Sequence, residues 1–158
     1  MSYRRLVYVI GAVVAAIGLA MLPAAVVSLL YREWGDAIAI VIAAAVTMVA
    51  AGAVWRFIGR QGELTTREGF ATVGLSWLAM IAFGTLPYLF SGALDSITNA
   101  FFDASAGVAP AGAWGVPDPA AGCHGILRWW AGCRWMGGVG VFVVSVASRP
   151  LLGVGGGD

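Results

Sequence analysis

Long uncharged stretches alternate with short polar ones along this chain. Leu6–Tyr31 carries no charge over 26 positions; as a helix it would reach about 39 Å, enough to cross a bilayer with some tilt. Pro23 predicts a kink within it. The turn Arg32-Glu33-Trp34-Gly35-Asp36 follows. A second span is expected over Ala37–Trp55, with Ala39, Ala43 and Ala50 available for close helix contact. Arg56–Gly69 reads as a polar loop, and Thr65 with Glu68 stands at capping-box spacing for the next helix. Phe70–Leu94 is a third uncharged run, with Pro87 near its end. After a loop rich in Pro, Ala and Gly up to about Gly122, a fourth span is expected over roughly His124–Ser148. Its clean apolar part, Trp135–Ser148, is short, so the helix must also use the Trp-rich segment before it.

Between the third and fourth runs lies Asp95–Gly115, too polar and too short to cross a bilayer. Asp95-Ser96 is a helix start signal, a side-chain oxygen capping the free N–H groups of the first turn. Ile97, Ala100, Phe101 and Ala104 recur at helical spacing and predict an apolar face. The segment ends in small residues around Pro110, where no regular helix can continue. A short helix followed by a Gly-containing extended strand, set between two spans, has the layout of a re-entrant pore loop. Irregular backbone at membrane depth is tolerated only where protein buries it or it lines a water-filled cavity.

Composition agrees with this pattern. Hydrophobic residues make up 60% of the 158 positions, charged ones 11%, and mean hydropathy is +0.88. A soluble domain carries about 25% charged residues, so this is an integral membrane protein, all-α. The net charge of +1 gives no reason to expect nucleic acid. Cys123 and Cys133 form no metal or redox spacing and read as unpaired thiols. The apolar run after Arg5 is too long for the core of a signal peptide. Arg4, Arg5, Arg56, Arg60, Arg67 and Arg149 flank one side of the expected spans, against Arg32 beside Glu33 and Asp36 on the other. That distribution places both termini and the second loop in the cytoplasm and brings the hairpin in from outside. Trp34, Trp55, Trp129 and Trp130 fall near the expected interfaces, as an aromatic belt would.

Chemistry is sparse. Trp135-Met136-Gly137-Gly138-Val139-Gly140 places three glycines within four residues of the fourth span. They either let another backbone approach closely, with Gly138 expected to face such a neighbour, or permit a bend that lines a pore. Arg128 and Arg134 share this span. An arginine at the bilayer centre costs about 2.5–3.5 kcal/mol on insertion scales. Arg128 reads as snorkelling to the outer interface. Arg134 lies deeper and either snorkels or faces a polar cavity or a carboxylate, with Asp103 the nearest plausible partner. His124 reads as an interfacial residue at a helix start. No nucleophile–histidine–acid set, catalytic carboxylate pair, phosphate loop or metal-ligand cluster supports enzymatic activity.

Five segments, in order, resemble the membrane subunit of Trk/Ktr-type potassium transporters. Leu64-Thr65-Thr66-Arg67-Glu68-Gly69-Phe70 is similar to the stretch opening that family's first pore repeat. Gly84-Thr85-Leu86-Pro87-Tyr88 is similar to the outer end of that repeat's first helix. Asn99-Ala100-Phe101-Phe102-Asp103-Ala104-Ser105-Ala106-Gly107 resembles the pore helix, AFFE-x-x-SG. Trp135–Gly140 resembles the W-x-GGMG of the second helix, and Pro150–Gly156 the segment after it. The resemblance covers Leu64–Gly156, while the first two spans match the family's extra N-terminal helix pair in layout.

The resemblance implies a fold of four helix–pore loop–helix repeats around a pseudo-fourfold pore, one of them present here. It implies an N-terminal helix pair over 1–60, the first repeat over 64–150 and a truncated cytoplasmic tail over 151–158. It implies a fragment of a potassium uptake transporter in a bacterial or archaeal inner membrane, with potassium as transported substrate and no cofactor. The lipid bilayer and a cytosolic nucleotide-binding regulatory subunit are the implied partners. Val108, Ala109, Pro110, Ala111 and Gly112 stand at the ion-filter backbone, where carbonyl oxygens would replace the ion's hydration shell. Asp103, Gly107, Arg134, Gly137, Gly138 and Gly140 occupy the pore-helix and second-helix motifs. The chain departs from the family at this filter, F-T-T-T-G, of which Gly112 alone is kept, and at Arg134, where the family has Gln. Those departures leave open a second reading, a non-conducting truncated membrane protein with a structural or assembly role. The topology has a direct test. A membrane-impermeant thiol reagent added from outside should label a cysteine placed in Gly115–Ala121 and spare one placed in Gly59–Gly62; the reverse pattern would overturn the orientation.

Overall fold

The computed structural model describes residues 3–59, 66–109, 111 and 123–148. Among these the chain is all-helical: α1 (Tyr3–Leu30), α2 (Trp34–Ile58), α3 (Thr66–Gly84), α4 (Leu86–Ser91), α5 (Ile97–Val108) and α6 (His124–Ser148). Among the described residues three segments are long and apolar enough to cross a membrane: α1, α2 and Gly69–Ser91, which joins α3 to α4. A helix, α6, forms over the residues expected for the fourth span. α1 runs through Pro23 without interruption. The third run is divided because Pro87 has no N–H to give the Phe83 carbonyl. Thr85 carries the chain across the break, its N–H and its hydroxyl both donating to the Ile81 carbonyl, at 3.0 and 2.7 Å. The expected cap at Thr65 lies outside the described residues, and α3 begins one residue later.

Small residues hold the helices together. α2 turns Ala37, Ala39, Ile40, Ala43, Ala44, Thr47 and Ala51 inward; Ala39 and Ala43 were expected there, whereas Ala50 is only half-buried. Opposite them on α1, a Cβ at Gly11 or Gly18 would come within 2.8 Å of Val54 Cγ1 or 2.9 Å of Met48 Sδ. Leu19, Val26, Ile38 and Val49 point outward. In a bilayer this is the stable arrangement, since large apolar side chains lose nothing by facing lipid.

The same rule corrects the face expected for α5. Ser96 caps the helix as expected, its Oγ accepting the Asn99 N–H at 3.1 Å. Ala100 and Ala104 are buried, but Ile97 and Phe101 are exposed. The inward face is Ala100, Asp103, Ala104, Ala106, Gly107 and Val108. It lies against α6, where Ile126, Trp129, Cys133 and Gly137 form the buried stripe. Trp129 is therefore core rather than interfacial belt, and its Nε1 donates to the Gly84 carbonyl at 3.0 Å. Trp34 and Trp55 remain exposed.

The glycines of α6 divide by face. A Cβ on Gly137 would overlap the carbonyl of Val108, and one on Gly140 would come within 3.1 Å of Trp77 Nε1. Gly138, expected to have a backbone neighbour, has nothing within 4 Å. The helix is continuous through all three, so the role of Gly137 and Gly140 here is close packing, and Gly138 packs on nothing. Nearer the start of α6, a Cβ on Gly125 would overlap Ser28 Oγ and stand 3.0 Å from the Ala24 carbonyl.

That end of α6 is fastened by a residue from the α1–α2 turn. The turn closes on a left-handed Arg32, φ 60°. The Glu33 N–H bonds the Ser28 carbonyl at 2.9 Å and the Arg32 N–H that of Leu29 at 3.1 Å, the double bond pattern of a Schellman ending. Glu33 is thereby aimed at the first residues of α6. Its carboxylate accepts the His124 and Gly125 N–H groups at 3.1 and 3.4 Å and lies 2.8 Å from His124 Nδ1. The His124 ring stacks on Tyr31, centroids 3.8 Å apart. Burial acts to raise the Glu33 carboxyl, but the hydrogen bonds from His124 and Gly125 outweigh it and hold the group below its ordinary range. Beside it, burial and Asp36 push the Cys123 thiol up to about 11.

Two outcomes follow for stability. Gly137→Leu should lower it by at least about 1–3 kcal/mol, because a backbone carbonyl cannot make room, whereas Gly138→Leu should cost less than about 0.5 kcal/mol; thermal midpoints in detergent distinguish them. Glu33→Gln should lose roughly 1 kcal/mol at neutral pH, about 2–4 °C. The lowered carboxyl stabilises the fold fully above its ordinary value of 4.5 and ceases to as pH falls through its folded value. The gap between wild type and Glu33→Gln should therefore close in acid, and a gap independent of pH would show that the carboxylate charge contributes nothing.

Candidate functional site

The sequence motifs converge where α4, α5 and the middle of α6 meet. Tyr88 of α4, Asp103 of α5 and Cys133 of α6 are fully buried there, beside Trp129. The Tyr88 hydroxyl lies in the electrostatic reach of Cys133, Asp103 and Arg134, and Asp103 also acts on Cys133. Although Asp103 is near, Tyr88 makes no hydrogen bond of regular length and angle. Arg134 lies with its Cζ 3.8 Å from the centroid of the Trp130 ring, a cation–π geometry. Asp103 and Arg134 thus bear on one hydroxyl, the neighbourhood the sequence suggested for them. Arg134 is half-buried; Arg128, six residues earlier, is exposed.

Gly107 and Val108 seat the end of α5 on α6. A Cβ on Gly107 would stand 3.2 Å from Cys133 Cβ. Val108 is the last residue of α5, buried, with its carbonyl against Gly137. Ala109 is the C-cap, its N–H donating to Ser105 at 2.9 Å, and the Ala111 N–H donates to Ala106 at 3.2 Å. Pro110 cannot extend this ladder. Pro110 and Gly112 lie outside the described residues. Asp103, Gly107, Val108, Arg134 and Gly137 are therefore gathered at one helix junction. Gly140 packs on Trp77 of α3, and Gly138 faces away.

Sequence reading missed Tyr88 and Cys133 as members of this junction. The i, i+3, i+4 spacing of Ile126, Trp129, Cys133 and Gly137 was the signal that could have found Cys133. Among the described residues no group of three or more His, Cys, Asp or Glu could hold a metal ion, and Cys123 and Cys133 are both free thiols.

Comparison with known proteins bears on the same residues. No family model and no solved structure matches the chain. Curated proteins do. It is 34% identical over 158 residues to the Trk system potassium uptake protein TrkH of Salmonella typhimurium, and 35% identical over 159 residues to the protein of that name from Halomonas elongata. It is 28% identical over 155 residues to the Trk system potassium uptake protein TrkG of Escherichia coli. These matches cover 99%, 99% and 97% of the chain, and 32%, 33% and 32% of the relatives. The chain spans about a third of their length, and over that third it is similar to the Trk potassium uptake proteins.

Proposed function

We propose that this chain forms part of a potassium uptake transporter and contributes one helix–pore loop–helix repeat to a pore of four. In this reading residues 1–60 are the peripheral helix pair, 64–150 the repeat and 151–158 a cytoplasmic tail. α3 with α4 is the first helix of the repeat, α5 the pore helix and α6 the second helix. Val108, Ala109, Pro110, Ala111 and Gly112 supply filter carbonyls, and potassium is the substrate. The protein lies in the inner membrane with both termini cytoplasmic and meets a cytosolic nucleotide-binding regulatory subunit there.

One observation carries the reading: α5 is too short to span and stops halfway along α6. Its last residue meets Gly137, 13 residues into a helix of 25, roughly 20 Å from the His124 end. A helix C-terminus at that depth directs the negative end of its dipole toward the bilayer centre, as attraction of a cation there requires. The names and extent of the relatives support the same substrate. Ile97, Phe101 and Phe102 are left exposed on α5, the face on which the remaining repeats would pack.

The test joins the chain to what it lacks. Spliced in place of the matching third of the Salmonella relative, it should restore potassium-limited growth to a cell without its own uptake systems, and Gly112→Asp should abolish the rescue. The 158-residue chain alone in liposomes should pass no measurable potassium, since one repeat gives about a quarter of a carbonyl ring. A correctly inserted chimera that fails to rescue growth would overturn the proposal, and potassium-selective flux from the chain alone would replace it with a homotetramer.

A further inference from the structure

α1 and α6 run antiparallel, and between them lies a groove of about 660 Å³. Ala16, Ala20 and Pro23 form one wall; Gly132 and Met136 form the other, with Arg128 at one end. The small residues keep the groove open, for a Cβ on Gly132 would meet only the Arg128 Nη1, at 3.8 Å. Arg128 is exposed and forms no ion pair with the described residues.

The depth of the groove follows from the clamp at Glu33. That clamp fixes the His124 end of α6 to the turn between two spans, so this end marks a membrane interface. Arg128 then lies about 6 Å inward and Met136 about 18 Å. On α1, counted from Leu30, Pro23 lies about 10 Å inward and Ala16 about 21 Å. The groove thus begins at the headgroup boundary and ends near the bilayer centre, matching the roughly 15 Å half-thickness of the hydrocarbon. A cation stands at its shallow end, and its deep part is apolar.

We propose that this groove binds an anionic phospholipid from the leaflet holding the α1–α2 turn, its headgroup phosphate on Arg128 and one acyl chain along Ala20, Ala16 and Gly132. Charge complementarity selects the occupant. An exposed guanidinium at the headgroup level attracts negative lipid, with a contribution of about 1 kcal/mol per basic side chain near the surface. It also pairs with phosphate in a planar, two-pronged geometry. The site is independent of the ion-filter assignment, and its test reads lipid rather than potassium.

The test uses the purified, delipidated chain in detergent, titrated with dioleoylphosphatidylglycerol or dioleoylphosphatidylcholine, with bound lipid counted by native mass spectrometry. Wild type should prefer phosphatidylglycerol. Arg128→Gln should weaken that lipid roughly fivefold, to the level of phosphatidylcholine, while Arg128→Lys keeps most of the preference and Arg56→Gln keeps all of it. Gly132→Leu should weaken both lipids by filling the groove, its folding checked by the thermal midpoint. Equal binding of the two lipids by wild type, or phosphatidylglycerol binding unchanged in Arg128→Gln, would overturn the site. So would a disulfide-linked dimer formed in high yield through Ala20→Cys, which would assign the groove to a second copy of the chain.

Discussion

In lipid, an apolar side chain gains nothing by turning inward, so helices associate through close contact and through polar groups that require partners. Both causes act at the seam between α5 and α6. Gly137 lets the Val108 carbonyl approach backbone to backbone, and Gly107 lets α5 settle against Cys133. That approach carries Asp103 out of lipid and into the space beside Tyr88. The charge is why the small face must be the inner one, since a carboxylate exposed to hydrocarbon would cost several kcal/mol. Ile97, Phe101 and Phe102 then have only the outside left.

The α1–α2 hairpin depends on the same seam at one remove. Among the contacts that place α6 along its length are Gly137 on α5 and Gly125 on Ser28 of α1. The Glu33 carboxylate adds direction, because a helix N-terminus satisfied by an anion from another element cannot slide without losing those bonds. Holding Glu33 there needs Arg32 in the left-handed region, which costs a non-glycine residue about 1–2 kcal/mol. Hydrogen bonds to two N–H groups and the His124 stack on Tyr31 offset that strain.

These relations explain which features could be read from the residues. Helix existence followed from run length and capping: a helix over roughly His124–Ser148 was expected and α6 covers those residues, and of the Asp95-Ser96 start signal it is Ser96 that caps. Facing was not. The spacing Ile97, Ala100, Phe101, Ala104 marks one stripe of a helix, but in a membrane protein apolar spacing does not distinguish lipid from core. Small size and charge do, and by that rule Ala100, Asp103, Ala104 and Gly107 read correctly. Trp129 misled for a related reason, since adjacent tryptophans suggest an interface, yet Trp129 and Trp130 lie about 100° apart around a helix. Glu33 and His124 are 91 residues apart, and no local pattern marks a cap delivered from another element.

Arg134 changes meaning in this setting. On the sequence it stood where the resembling family has Gln, and a positive charge beside a cation path would repel the ion strongly at low dielectric. In the fold its guanidinium is spread over the Trp130 ring, and it shares the surroundings of Tyr88 with Asp103. An arginine and a carboxylate acting on one buried site nearly cancel at any distance large compared with their separation. What a cation near the end of α5 would then feel is the α5 dipole, and the Arg134 charge opposes it only to the extent that Asp103 fails to balance it.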